Sequence, residues 1–303
     1  MNGRVSALQS LPGVGLAKKL LNRRMLRLFF RDKLTGLGTV LVLVTFFLAV
    51  AAPVLSPFPE DAYENVRVAE RLQSPSAKHW FGTDRMGRDI FSRVLYGGRV
   101  TLFIALAVTL LSIAIGVPLG LVAGYYSGAI HEVIMRVADV FLAIPRIILA
   151  LSLAAALGPN VPNVIVALSV SFWPRFTRIV EAETQSLRHE LYIEASQSLG
   201  VSPVSILFRH IFVHTLPTII VRGTLGIGFT ILLAATLGFI GVGVSPPTPE
   251  WGLMIAESRE YLPGTWWYAL FPGLAIFLTV MGYILMGDSL RDAMDPRLRG
   301  IEG

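Results

Sequence analysis

Uninterrupted apolar runs constrain this chain more than any other feature. No Asp, Glu, Lys or Arg occurs in residues 34–55, 100–130, 223–249 or 261–287. Residues 147–174 are also free of charge, but Gly158, Pro159, Asn160, Pro162 and Asn163 interrupt them. A bilayer core about 30 Å thick needs about 20 apolar residues to be crossed by a helix. Gly and Pro packed that closely mark a turn, so residues 147–174 hold parts of two spans joined by a tight loop. The pattern predicts an all-α, polytopic membrane protein with six transmembrane helices, near 34–55, 100–125, 134–157, 161–179, 217–244 and 266–287. Charged residues make up 15% of the 303, against roughly 25% in a soluble domain, which agrees.

Lys and Arg placement orients such a chain, because cytoplasmic loops carry an excess of both. Arg4, Lys18, Lys19, Arg23, Arg24, Arg27, Arg31 and Lys33 make residues 1–33 a basic, cytoplasmic N-terminal segment. The first apolar run is too long for a signal-peptide core, and Ala51-Ala52-Pro53 is a poor cleavage context, so it reads as a retained span. Six spans return residues 288–303, with Arg291, Arg297 and Arg299, to the cytoplasm. The loop at 158–163 has no charge, and residues 245–265 hold one Arg against three Glu, so both suit the outside. The 56–99 loop is the exception, with Arg67, Arg71, Lys78, Arg85, Arg88, Arg93 and Arg99. Parity still places it outside, so residues 34–99 form the first helix and an external loop. Residues 100–287 form a five-helix core, with the loop at 180–215 in the cytoplasm.

Several functions are excluded or disfavoured. The formal charge of +6 reflects topology and lipid contact. Nucleic-acid binding would need a basic face on a soluble domain. There is no cysteine, which removes disulfides, thiol catalysis and Cys-based metal sites. All four lysines lie at or before Lys78, and no Gly-x4-Gly-Lys-[Ser/Thr] phosphate loop occurs. Of the five histidines only His210 and His214 have helical ligand spacing, and no acidic residue joins them, so no metal site is assigned. No nucleophile and base stand together, and no catalytic residue or cofactor is assigned.

Within the spans, Gly116, Gly120 and Gly124 repeat at a spacing that lets two helices approach closely, which points to packing rather than ligand binding. The fifth span is dense in small residues, from Gly223 to Gly243, and either packs tightly or lines a pathway. Arg136, Asp139 and Arg146 share one helical face with alternating sign, and a self-paired cluster near the inner interface is expected. Pro145 should kink that helix. Arg175 and Arg178 read as inner-interface anchors, and Tyr261, Trp266, Trp267 and Tyr268 as an outer aromatic belt. Nothing in this identifies the residues that line a substrate pathway.

One polar stretch, residues 192–211, stands between apolar runs. Residues 194–199 are compatible with a helix, and Gly200 can end it in a left-handed position. Ser202 then serves as N-cap and Pro203 as first-turn residue of a second helix whose apolar side is Ile206, Leu207, His210 and Ile211. The shape is helix, elbow, helix. Tethering to the membrane at both ends argues against a DNA-binding helix-turn-helix, and docking to a cytoplasmic protein is the more economical reading.

Glu194-Ala195-Ser196 with Gly200, followed by Ile211 after a spacer, resembles the "EAA" loop of ABC-importer permeases. His79-Trp80-Phe81-Gly82-Thr83-Asp84 with Gly87-Arg88-Asp89 is similar to the outer-loop signature of the C-type permeases of the dipeptide/oligopeptide/nickel family. So are residues 241–252 and 287–296. One departure is visible: Phe212-Val213-His214 replaces the family's usual Leu-Pro-Asn, and the next proline is Pro217. The second loop helix should therefore run more smoothly into span five.

The resemblance implies a permease subunit in the cytoplasmic (inner) membrane that pairs with a homologous permease, two ABC ATPase subunits and an extracytoplasmic solute-binding protein. ATP hydrolysis belongs to the ATPases. Glu194, Ala195, Ser196, Leu199, Gly200 and Ile211 would couple to them. Asp84, Arg88, Asp89, Glu250 and Trp251 are candidates for contact with the binding protein, although Asp84 and Asp89 also suit turns stabilised by their own side chains. Di- or oligopeptides are the substrates implied first, then nickel, opines and oligosaccharides. A stand-alone channel or secondary transporter and a membrane-anchored regulator are the alternatives from other classes.

Overall fold

A computed structural model describes residues 33–294. The basic segment before Lys33, and Arg297 and Arg299 after the last helix, lie outside the described residues. Helix α1 is Lys33–Val50, followed by a single turn, α2, Ala52–Leu55. After an extramembrane loop come α3 (Ile90–Tyr125), α4 (Ala129–Ala143), α5 (Arg146–Leu157) and α6 (Val161–Leu187). The polar stretch forms α7 (Leu191–Ser198) and α8 (Pro203–Ile206), and a π-helical turn, Leu207–Ile211, leads into α9 (Phe212–Ile240). Helices α10 (Trp251–Ser258) and α11 (Trp266–Met294) complete the fold. Among the described residues there is no β-strand, only an isolated bridge between Thr83 and Asp89.

Four helical runs are long and apolar enough to cross a membrane: α1, α3, the run Pro203–Ile240, and α11. A fifth is counted if α4 and α5 are taken together. The expected continuous span at 134–157 is not formed. Its two halves meet at 88°. A proline clashes with a helical residue before it, so Ile144 turns extended (ψ 128°) and α5 starts afresh after Pro145. Helix α6 is 27 residues long, but Arg175, Arg178, Glu181 and Glu183 dilute its second half.

Two boundaries and the aromatic belt also differ. Helix α3 begins at Ile90 rather than near 100, because Asp89 caps it by accepting from the Ser92 amide at 2.7 Å. Helix α11 continues to Met294, so the tail expected from residue 288 begins inside it. Trp267 and Tyr268 turn into the core, 7% and 0% exposed, and of the expected aromatic belt Trp266 faces outward.

Helices α3 and α6 form the central pair. A Cβ on Gly116 would lie 2.5 Å from the Trp173 carbonyl oxygen. One on Gly120 would lie 2.7 Å from that of Thr177, and one on Gly124 2.5 Å from the Thr184 Cβ. The glycine repeat is thus the groove into which α6 packs. The expected Arg136–Asp139–Arg146 cluster is not self-paired. Asp139 pairs with Arg178 of α6, and Arg146 lies over the Phe172 ring at 4.6 Å. The bend at Pro145 carries Arg146 away from the face it would share on a straight helix.

Candidate functional site

Residues 191–211 form a small two-sided platform. Its inner side is apolar. Ile193, Ile206, Leu207 and Ile211 are buried with Val117 and Leu121 of α3, Val180 of α6 and Ile219 of α9. The elbow between the helices follows from one glycine. Gly200 has φ +75°, a conformation in which a Cβ would crowd the backbone. Its N–H donates to the Gln197 carbonyl at 2.9 Å, and the Val201 N–H donates to that of Ser196 at 3.1 Å. These two bonds make a Schellman motif. Ser202 then caps α8, accepting from the Ser205 amide at 3.4 Å, with Pro203 in the first turn. The run continues through the π-turn into α9 without a break, as the sequence departure at 212–214 suggests.

The outer side is different. Glu194, Ala195 and Gly200 are exposed, and Leu199 is 84% exposed. Leu191, Val204 and Phe208 are exposed beside them. The sequence reading missed these three. The available signal was their position opposite Ile193, Ile206 and Ile211 on the same short helices. Ser196 donates to the Tyr192 carbonyl at 2.7 Å and so serves the helix itself. Ile211 corrects an expectation. It is fully buried and anchors the platform, so no partner protein can touch it while the platform is formed. Arg188 ties the platform's start to the end of α3, donating to the Tyr125 carbonyl at 3.1 Å and to Ser127 Oγ at 3.0 Å.

A second organised region sits at the opposite end of α3, about 54 Å away by the rise of its 36 residues. Asp84 accepts from the Met86 and Arg88 amides at 2.8 and 2.9 Å and from Arg88 Nε at 2.7 Å. Asp89 caps α3 and accepts from His79 Nδ1 at 2.9 Å. Glu250 caps α10, accepting from the Gly252 and Leu253 amides at 3.0 and 2.8 Å. Trp251 donates from Nε1 to the Val94 carbonyl at 2.9 Å. All five residues expected to touch an external protein are therefore interior, at most 4% exposed. Their polar atoms are used up in turns and caps, which is the alternative the two aspartates suggested. The exposed large apolar side chains of the loop are instead Tyr63, Val66, Val68 and Trp80.

Two carboxyls here are shifted in opposite directions. The Lys78 ammonium bonded to Glu70, with His79 and Arg67 nearby, holds the Glu70 carboxyl below the usual range. Burial raises that of Glu250, offset in part by the two amides and the Thr101 hydroxyl that donate to it. No acid–base pair or nucleophile arises from these groups. They are arranged to hold a loop.

Residues 116–300 match the sequence model of a family described as binding-protein-dependent transport system inner membrane component. The chain belongs to that family. The permease is 41% identical over 269 residues to the dipeptide transport system permease protein DppC of Alkalihalophilus pseudofirmus, covering 89% of this chain and 88% of that one. It is 41% identical over 278 residues to the glutathione transport system permease protein GsiD of Pectobacterium atrosepticum, covering 91% of each. The probable D,D-dipeptide transport system permease protein DdpC of Escherichia coli is 39% identical over 267 residues, 88% of this chain and 89% of that one. In solved structures, a chain of the inward-facing MetNI methionine ABC transporter superposes with a TM-score of 0.51 at 18% identity. It covers 67% of the permease and 97% of that chain, a likeness of fold alone.

Proposed function

We propose that the permease is one of two membrane subunits of an ATP-driven ABC importer, and that it carries di- or oligopeptides handed over by an external binding protein. One observation carries the coupling role. The 191–211 platform is fastened to three helices by buried isoleucines, yet it presents Leu191, Glu194, Ala195, Leu199 and Val204 outward. A firmly built element with an apolar outer face is a docking surface. Its occupant is an ATPase subunit, because the described helices carry no phosphate loop and the relatives serve transport systems. The peptide reading rests on the names of those relatives, among them dipeptide and glutathione permeases.

The mechanism is mechanical. ATP closes the ATPase pair, the platform moves with it, and Ile193 and Ile211 pass the motion to α3, α6 and α9. The spans then rock between outward and inward access. In this reading α6, packed along α3, is the fourth of six spans, and the bent pair α4–α5 is the third. The platform and both termini lie in the cytoplasm, and the 56–89 loop meets the binding protein through Trp80 and its exposed neighbours. A homologous permease completes the pathway, with lipid around the pair.

Leu199→Glu tests the proposal. It leaves the buried base of the platform untouched and places a charge at the centre of the docking face. The ATPase subunits should no longer co-purify with the complex, and peptide uptake should stop. Normal co-purification and uptake would overturn the coupling role.

A further inference from the structure

A cavity of about 320 Å³ opens where the α4–α5 corner meets α6 and α9. Four arginines line it: Arg146 at the start of α5, Arg175 and Arg178 on α6, and Arg222 on α9. Phe172, Phe176 and Phe229 form its apolar wall, and no Asp or Glu is among its lining residues. Arg178 is paired with Asp139, outside the cavity. Arg175 and Arg222 have no ion-pair partner among the described residues. The site therefore carries surplus positive charge.

Depth and exposure say which way it faces. Arg175 lies about 21 Å along α6 from Val161, and Arg222 about 27 Å from Ile240, at 1.5 Å per residue. Both distances fall within a hydrocarbon core of about 30 Å. Arg175 and Arg222 are exposed in the isolated subunit. Arg222 stands close enough to the core's edge to snorkel to water, but a guanidinium turned to lipid at the depth of Arg175 is costly, and charged residues there face a polar cavity or a protein partner. The lipid-facing side is elsewhere: α1 exposes Leu37, Val40, Leu43 and Phe47 and bears no charge after Lys33. Gly226, on the cavity wall, meets nothing within 4 Å, so this small residue of α9 leaves open space rather than closing a helix contact.

We propose that this cleft is an anion site on the translocation path and that it takes the carboxylate of the transported solute. For a peptide this is the C-terminal carboxylate. The inference rests on the importer reading above and adds to it the residues and the chemistry. Planar guanidinium forks bind a carboxylate through paired hydrogen bonds. The three phenyl rings beside them accept apolar side chains of varied size. Arg146 reaches the site because the chain bends at Pro145.

The test uses the complete transporter with its partner permease, ATPases and binding protein, reconstituted in phosphatidylcholine vesicles. The probe is an alanyl dipeptide whose second side chain is a photoreactive diazirine. Wild type should take it up and, when stalled, form adducts on residues of α6 and α9 near Phe172 and Phe229. Arg175→Gln and Arg222→Gln should each lower uptake and adduct yield at least tenfold, and Arg175→Lys and Arg222→Lys should recover part of both. Co-purification of the ATPases shows which variants assemble, and the Lys-against-Gln contrast separates lost charge from lost packing. Equal uptake by the Gln variants, or adducts only elsewhere, would sink the site and leave the importer reading intact. Displacement of the adducts by added phosphatidylglycerol would assign the cleft to a lipid phosphate and overturn the proposal. A wild-type transporter that moves no peptide at all would overturn the peptide reading and this site with it.

Discussion

Arg93 of α3 and Glu257 of α10 lie 3.6 Å apart, and neither is more than 5% exposed. Arg93 is also 3.5 Å from Asp84, and Arg85 and Arg88 reach the same Glu257 at 3.1 and 3.8 Å. Tyr268 donates to Glu257 at 3.2 Å. One carboxylate thus joins the extramembrane loop, the first turn of α3, the short helix α10 and the start of α11. Breaking a buried ion pair is far more harmful than never having made it, because the remaining charge stays in a low-dielectric site. Glu257→Gln should destabilise the purified permease by about 3 kcal/mol. Arg93→Met combined with Glu257→Gln should recover part of that loss. Thermal denaturation of the single and double variants in detergent measures both, and strict additivity would show that the pair is not coupled.

Glu250 tests the other end of the same segment. It caps α10 from a buried position, and burial raises its carboxyl above the usual range. The folded state therefore favours the protonated form. Its stabilising contribution is full below the ordinary pKa of about 4.5 and declines as pH rises through the raised value. Glu250→Gln keeps an acceptor for the cap without the charge. It should match or exceed wild-type stability at pH 7 and lose that advantage on acidification. Glu250→Ala removes the cap and should cost about 1 kcal/mol. Melting curves across pH 4–8 compare the three proteins (~4 pH units cover the carboxyl transition).

Glycines of α3 and α1 should respond according to what faces them. Gly116→Leu drives a side chain into the Trp173 backbone and should cost about 3 kcal/mol or prevent folding. Gly36→Ala in α1 meets nothing within 4 Å and should stabilise by up to about 1 kcal/mol through helix propensity. A shift of the same sign for both substitutions, seen in thermal denaturation, would contradict the packing described for α3 and α6.

Gly200 should distinguish conformation from volume. Nothing lies within 4 Å of a Cβ built there, so any cost of substitution comes from the left-handed backbone. Gly200→Val should destabilise the platform by about 1–2 kcal/mol and uncouple ATP hydrolysis from uptake, whereas Gly200→Asn should be tolerated. Hydrogen exchange across residues 191–206 reads the first effect, and transport per ATP hydrolysed reads the second.

What could be read early was local. Apolar runs of sufficient length marked the positions of α1, α3, α9 and α11, because a bilayer demands length and absence of charge. The Gly200, Ser202 and Pro203 order implied the elbow, because each residue acts on its own backbone within two or three positions. Pro145 announced a kink for the same reason. The size of that bend, 88°, was not legible, because a proline fixes where a helix breaks and not the angle at which the chain resumes.

What only the tertiary structure decided was direction. Asp84, Arg88, Asp89, Glu250 and Trp251 looked like surface residues of polar loops, yet each turns inward toward partners that can be more than a hundred positions away. Ile211 looked like part of a docking face and proved to be its buried anchor. Arg146, Arg175 and Arg222, spread over three helices, became neighbours of one cavity. The sequence by itself marked the long apolar runs, the break at Pro145 and the elbow at Gly200, because those depend on neighbours along the chain. Which side of each helix faces core, cavity or solvent depends on contacts between distant segments, and only the folded chain brings those together.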